Sequence, residues 1–451
     1  MTKIKLLTKI FFAALLSQST MAASNEQVAK LGIELTPMGA PKAASADIPA
    51  WTGGLTEAPQ SHQAGSRLSD PFADEKPLFI ITAENAKQYA DKLSAGQLAM
   101  FKRYPESYRI PVFASHRTAA YPESVYAATK QNAINTKLSK SGNGLENFAE
   151  GGVPFPFPAN GLEAIWNHIV RYRGGSLART SAQITPQVNG SFTPVRLRDE
   201  YTFRQQLSDI DLNEDENVLF YYKQDILSPA RLAGNILLVH ETIDQVKEPR
   251  RAWIYNAGQR RVRRAPQVAY DGPGTASDGL RTSDNFDMFN GAPDRYNWKL
   301  LGKQEMYIPY NSYRINSDQL KYSDVIQAGH VSQDLARYEL HRVWKVEATL
   351  KDNKRHIYAK RTFYIDEDTW QISLVDHYDG RGELWRVGEA HSIMFYDFLV
   401  PYFAFEALYD LSSGRYLVLG MTNEEPNAYQ FGVQRSSKEY TPAALRRRGR
   451  R

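Results

Sequence analysis

The chain has 451 residues, enough for one large domain or two ordinary ones, and contains no cysteine. That removes disulfide scaffolds, thiolate metal centres, cysteine nucleophiles and a lipid-modified N-terminal cysteine. The formal charge of +5 resides at the ends, in Lys3, Lys5 and Lys9 and in Arg446, Arg447, Arg448, Arg450 and Arg451, so the chain between them is net acidic, about −3. A nucleic-acid-binding fold would carry its positive charge on a folded face, and this distribution argues against one.

Lys3, Lys5 and Lys9 precede a short apolar run, Ile10–Leu16, and then small and polar residues through Thr20-Met21-Ala22. This predicts a cleavable signal peptide over residues 1–22 with cleavage after Ala22. The apolar run is too short to cross about 30 Å of hydrocarbon. The expected location is the periplasm, as a secreted protein that is not a lipoprotein.

Residues 23–80 are rich in Ala, Pro, Gly and Ser and predict an extended, partly irregular arm. A domain over 81–440 is expected to follow, with helices in 81–175 and a sheet over about 195–421. Ser94 and Gln97 have capping-box spacing. A helix is predicted from Pro122 to about Leu138, with Ile134 and Leu138 on one face. Pro154, Pro156 and Pro158 impose a rigid extended segment. Asn160 then caps a helix whose Leu162, Ile165, Trp166 and Ile169 form one apolar stripe.

From about Val195 to Met421 the pattern has period two. Val218–Lys223, Gly234–Glu241, Arg251–Tyr255, Tyr338–Leu350, Arg355–Ile365, Trp370–His377, Glu383–Phe398 and Ala407–Leu419 predict strands. Short turns at Asn256–Gln259, Asp366–Thr369 and Asp410–Gly414 each join an aromatic strand to a returning strand, as in a hairpin. Aromatic residues are 12% of the chain, with 26 Tyr, which also favours sheet. The predicted fold class is mainly β with helices (α+β): one large antiparallel meander, curled by its own twist, with helices covering the open side.

No G-x-S-x-G elbow, Walker A, G-x-G-x-x-G or H-E-x-x-H is present, and the nine histidines are scattered. No catalytic residue, metal site or cofactor is expected. Asp284, Asp287, Asn290 and Asp294 predict solvated loop acids, and Asp366, Glu367 and Asp368 hairpin-turn residues. His116-Arg117-Thr118 is a polar cluster or a capped segment. The aromatic set Trp253, Tyr255, Trp344, Tyr364, Trp370 and Trp385 either packs as a core or lines a hydrophobic cavity. The long connection Pro266–Tyr313, with Phe286, Met288, Phe289 and Trp298, predicts a lid or a docking loop. Residues 441–451 predict a basic tail, whose Arg446–Arg451 run is a disordered solvated end or else a contact with anionic head groups or an acidic partner.

Leu35–Ala43 (LTPMGAPKA), Ile48–Gly54 (IPAWTGG), Ile81–Gln97, His116–Ala133, Pro154–Gly174 (PFPFPANGLEAIWNHIVRYRG), Tyr221–Ile243 and Ala269–Lys303 resemble one family across nearly the whole mature chain. It is a proteobacterial domain-of-unknown-function family of secreted proteins, similar to the outer-membrane lipoprotein-sorting proteins of the LolA/LolB type. The resemblance implies a half-barrel sheet with an apolar cavity, and Trp253–Arg264 looks like a hairpin of such sheets. It also implies a periplasmic step in moving a lipid or other hydrophobic small molecule, with an inner-membrane RND/MMPL-type exporter and an outer-membrane protein as partners. It supplies no catalytic residues. Unlike LolB, the chain has no cysteine to lipidate, which favours a soluble shuttle or adaptor over an anchored acceptor. The expected function is thus a non-enzymatic periplasmic lipid or hydrophobic-ligand binding protein in envelope transport. The alternatives are a structural adaptor of an envelope complex and an envelope hydrolase.

Overall fold

A computed structural model describes residues 23–449 except 64, 212–216, 266–269 and 427. The predicted signal peptide, its cleavage point, Arg450, Arg451 and the start of the connection at Pro266 lie outside the described residues. The strands in chain order are β1 Phe79–Ile81, β2 Ile110–Phe113, β3 Lys137–Leu138, β4 Leu145–Glu146, β5 Ser176–Ile184, β6 Val195–Phe203, β7 Phe220–Ser228, β8 Ile236–Glu241 and β9 Arg251–Asn256. They continue as β10 Arg261–Arg264, β11 Tyr296–Pro309, β12 Tyr338–Leu350, β13 Lys360–Asp366, β14 Ile372–Tyr378, β15 Leu384–Phe395, β16 Val400–Asp410, β17 Tyr416–Met421 and β18 Tyr429–Phe431. The helices are α1 Asn25–Lys30, α2 Ala95–Arg103, α3 Glu123–Asn135, α4 Gly161–Val170, α5 Tyr322–Val325 and α6 Pro442–Arg448.

All strands but β3 and β4 join one sheet, ordered β1-β2-β12-β13-β14-β15-β16-β17-β5-β6-β7-β8-β9-β10, with β11 added beside β12 and β18 beside β5. The fold is mainly β with few helices, as the sequence predicts, and the sheet does not close. It is mixed rather than wholly antiparallel, because β2 runs parallel to the start of β12. The hairpin turns at 256–261, 366–372 and 410–416 fall where the Asn, Asp and Gly residues place them. The sheet begins earlier than expected, with β1 and β2 inside the stretch expected to be helical and β5 starting at Ser176, and the strand expected from Arg355 begins at Lys360.

Both faces are covered. On the inner face lie α4 and the loop from Tyr270 to Arg295. Ser94 caps α2 with its full capping box, and Ser94 Oγ and Gly96 N both donate to Asp376 Oδ1 on β14, which holds α2 against the outer face. Asn160 caps α4 through Glu163 N, and α4 is buried along its length. The arm is mostly irregular and pinned by scattered bonds: Trp51 Nε1 donates to Ala119 O, and Trp370 Nε1 to Met38 O.

Several expectations are corrected. The connection Pro266–Tyr313 contains the 14-residue strand β11. A bulge between Leu300 and Gly302 interrupts its alternation, and that interruption hides it as a strand. The helix after Pro122 ends at Asn135; Ile134 is exposed and Leu138 lies in β3. The C-terminal residues through Arg448 are not a disordered tail: Thr441 Oγ1 accepts from Ala444 N, Pro442 starts α6, and Tyr440 and Leu445 are buried against the outer face of β7–β9. Nor are the acids of the long loop solvated, because Asp284 and Asp287 are buried in ion pairs.

Candidate functional site: a cavity under the β7–β10 end of the sheet

The register of β7, β8 and β9 assigns each residue to a face. Tyr222 pairs with Val239 and Val239 with Ala252; Gln224 pairs with Leu237 and Leu237 with Ile254. These residues, with Phe220 and Glu241, share the inner face. Tyr221, Lys223, Leu238, His240, Trp253 and Tyr255 take the outer face, since a strand alternates with period two. Between the inner face and the loop that carries Pro273, Gly274, Arg281, Ser283, Phe286 and Asn290 lies a cavity of about 530 Å³. That volume falls within the usual range of small-molecule sites, about 300–1,000 Å³. Ile254 lines it and remains 42% exposed although it points inward, so the space reaches solvent.

The loop is held to the sheet by ion pairs. Asp287 and Met288 both adopt left-handed backbone (φ 55° and 62°), uncommon for residues other than glycine. This turn drives the Asp287 carboxylate between Arg171, at the end of α4, and Arg173. Arg171 Nη1 donates to Asp287 Oδ2 at 2.8 Å. Burial alone would raise the carboxyl of Asp287, but the two guanidiniums hold it well below the usual range. His168 bonds Asp287 O through Nε2 at 2.8 Å, and its Nδ1 accepts from Ile372 N at 3.1 Å. Burial pushes its pKa down to about 3, so the ring is neutral, with the proton on Nε2. Met288 and Phe289 are buried in the main core beside α4 and β13–β15.

The cavity wall combines apolar side chains with a strong excess of cation. Glu241 is paired with Arg250 at 2.7 Å and also accepts from Asn290 Nδ2. Arg263 stands at the rim on the edge strand β10, exposed. Arg281 is 6% exposed and its Nε has no hydrogen-bond partner among the described residues. Burial pushes its pKa down. Behind the wall Asp199 accepts from Arg179 Nε, Tyr222 Oη and Gln224 Nε2. The carboxyl of Glu406 has no partner on either oxygen among the described residues, and burial first, then Asp287, pushes it up to about 8.

Of the ten positions singled out from sequence, Phe286 lies in the cavity wall. Trp253 and Tyr255 are on the outer phase of β9, under α6, where Tyr255 Oη donates to Gly449 O. Trp344 stacks on Trp370 with ring centres 6.0 Å apart. Tyr364 is buried and donates to Asp376. Trp385 Nε1 donates to Asp410. Met288, Phe289 and Trp298 pack on or around Phe363 and Gly388 and fill the inner face there. The sequence reading missed Phe220, Tyr222, Leu237, Val239 and Ile254. Alternation within VLFYYK, GNILLVHE and RAWIY separates the two faces; which one turns inward depends on the loop and on α6.

One group of metal-ligand types comes together among the described residues, His341, Asp366 and Asp368, with ligand atoms within 4.8 Å of one another. Arg117 takes both oxygens of Asp368, at 2.8 and 2.7 Å, and Thr369 Oγ1 donates to Asp366 at 2.6 Å. The cluster is therefore a satisfied buried ion-pair network around a hairpin turn. Among the described residues no helix is long and apolar enough to cross a membrane.

Three comparisons place the chain among known proteins. An uncharacterized protein of Pseudomonas aeruginosa is 62% identical over 451 residues, covering 99% of each chain. A crystal structure of an outer-membrane lipoprotein-sorting protein domain from Vibrio parahaemolyticus superposes with a TM-score of 0.41 and 14% identity, covering 60% of this chain and 92% of that one. A LolA-superfamily protein from Nitrosomonas europaea gives a TM-score of 0.35 and 13% identity over 60% of this chain and 92% of its own. Residues 80–446 match the family model described as protein of unknown function (DUF1329), and the chain belongs to that family.

Proposed function

We propose that the protein is a non-enzymatic carrier for a lipid or other hydrophobic small molecule, working in the periplasm. The observation that carries this reading is the cavity of about 530 Å³ between β7–β10 and the loop, lined on the sheet side by Phe220, Tyr222, Leu237, Val239 and Ile254. Apolar walls with a few fixed polar groups are the composition of small-molecule sites. The placement of residues 1–22 as a signal peptide, which rests on Lys3, Lys5, Lys9 and the Ile10–Leu16 run, and cooperation with an RND/MMPL-type exporter and an outer-membrane protein, which rests on the sequence resemblance, belong to the same proposal.

The test is direct. Protein purified without detergent from a periplasmic fraction is extracted with organic solvent and analysed by mass spectrometry, and the delipidated protein is titrated with cis-parinaric acid and with hexadecanol. A stoichiometric co-purified lipid, or saturable binding of either probe, is the expected result. No lipid and no saturable binding of either probe would leave the cavity without a function and overturn the proposal.

A further inference from the structure

We propose that the ligand of this cavity carries an anionic head, a carboxylate or a phosphate, that seats on Arg281; the inference rests on the carrier reading and names its ligand class.

The argument begins with the segment that presents the arginine. Gly274 N donates to Arg281 O at 2.9 Å, Ser277 Oγ donates to Gly274 O at 2.9 Å, and Pro273 bridges Thr282. This closed loop is tied to the inner face, because Gln183 Nε2 donates to Thr275 O and Ala276 O, and Arg386 Nη2 to Gly279 O. These bonds fix the position of the loop over the sheet. A Cβ on Gly274 would lie 2.8 Å from both Cζ and Nη2 of Arg281, so a side chain there would displace the guanidinium from its present position.

Every carboxylate near Arg281 is otherwise engaged or is neutral near pH 7. Asp199 is taken by Arg179, Tyr222 and Gln224. Glu241 is taken by Arg250 and Asn290. Asp287 is taken by Arg171 and Arg173. Glu406 is the carboxyl that acts most strongly on Arg281, but it lies beyond ion-pair distance, and burial pushes its own pKa up to about 8. A buried guanidinium without a carboxylate partner is rare, since desolvation is offset only by a carboxylate or by several hydrogen bonds. Here the guanidinium borders an open cavity with apolar walls. An oxyacid head matches its planar fork of donors, and the chain attached to that head would lie on Val239, Ile254 and Phe286. Arg263 at the rim adds attraction for an anion on entry.

The test uses the full chain and compares ligands of one chain length: oleate, oleoyl lysophosphatidate, oleyl alcohol and oleylamine, each displacing a bound fluorescent acyl probe. Either anion is expected to bind about tenfold or more tighter than the alcohol, with the amine weakest. The tighter of oleate and lysophosphatidate identifies the head group. Arg281→Gln is expected to weaken the anions about tenfold and to change the alcohol less than twofold, with Arg281→Lys in between. Equal affinity of acid and alcohol, or an Arg281→Gln loss that is the same for both, overturns the anionic head while leaving the carrier reading intact. Failure of all four ligands to bind overturns the carrier reading itself. The comparison of acid with alcohol needs only the unaltered protein, so it decides even if Arg281→Gln does not fold.

Discussion

Two adjacent residues of β9 should separate cavity from core. Ile254 faces the cavity and is 42% exposed; Tyr255 faces α6 and is 0% exposed. Ile254→Ala removes three carbons, worth about 2.4 kcal/mol when fully buried at about 0.8 kcal/mol per CH₂. With 42% of the residue open to the cavity, about 1.4 kcal/mol of this is already realised in the free protein, and about 1 kcal/mol is left for a ligand to gain. Ile254→Ala should therefore destabilise the fold by about 1.4 kcal/mol and weaken an acyl ligand roughly fivefold. Tyr255→Ala empties a packed site and breaks the bond to Gly449 O, at a cost of about 3–5 kcal/mol, with unchanged affinity per folded molecule. Urea unfolding gives the first quantity and titration with an acyl probe the second. The reasoning fails if Tyr255→Ala weakens binding at unchanged stability, or if Ile254→Ala costs as much stability as Tyr255→Ala.

Three further outcomes follow from the buried charges and the C-terminal helix. Asp287→Asn leaves Arg171 and Arg173 buried without a countercharge and should cost about 3–5 kcal/mol in urea unfolding; a change under about 1 kcal/mol would refute the clamp. Burial raises the carboxyls of Glu406 to about 8, Glu389 to about 7 and Asp376 to about 6. The native state then holds protons that the unfolded chain releases above about pH 4.5, so stability falls as pH rises from about 5 to 8, by up to about 1.4 kcal/mol per unit for each group. His168 and His391, pushed down to about 3, act in the opposite sense and remove stability as pH falls below about 6.5. Together they place the maximum near pH 5; Glu406→Gln should flatten the alkaline limb, and urea midpoints that still rise to pH 8.5 would contradict this. Arg448→Ala breaks contacts to Glu200 and Asp225, but the side chain is 43% exposed, so it should cost under about 1 kcal/mol. Leu445→Ala, at a buried position, should cost about 2–5 kcal/mol and expose surface to a dye such as ANS; equal effects of the two would mean that α6 is held by charge rather than by packing.

Most of the fold is legible in the sequence because its signals are local. The Ser94 capping box, the Asn160 cap and the Asn, Asp and Gly hairpin turns each act within a few residues, and the β12 strand, Tyr338–Leu350, is found with the predicted bounds. What escapes is set by partners far away in the chain. Trp253 and Tyr255 are the large aromatics of their strand, but α6, about two hundred residues on, makes theirs the outer face. Arg281 is one arginine among many until Gly274 and the engaged carboxylates around it are in place. β11 is hidden by its bulge, and α6 by a run of arginines that suggests solvent, although Leu445 alone anchors one face of it.

The inner loop has two halves of different character, and this explains why the cavity sits at one end. From Phe286 to Trp298 the loop is aromatic and tightly fitted: Met288 Cε lies 3.1 Å from where a Cβ on Gly388 would be. Extracting Met288 and Phe289 costs about 1.5–3 kcal/mol each, and separating Asp287 from its arginines about 3–5 kcal/mol more. An opening that expensive is close to global unfolding for a typical domain. From Asp271 to Ser283 the loop is mostly small and polar, with Leu280 and Arg281 as its large buried side chains, and it faces the end of the sheet where β10 has no further neighbour among the described residues. Ligand entry past the β9–β10 hairpin leaves the Asp287 ion pairs and the packing of Met288 and Phe289 intact. Native-state hydrogen exchange should accordingly show slow amides at Phe289 and Asn290 and faster ones at the inner-face positions of β10. The reverse order would mean that the aromatic half is the moving part and that the whole inner face opens at once.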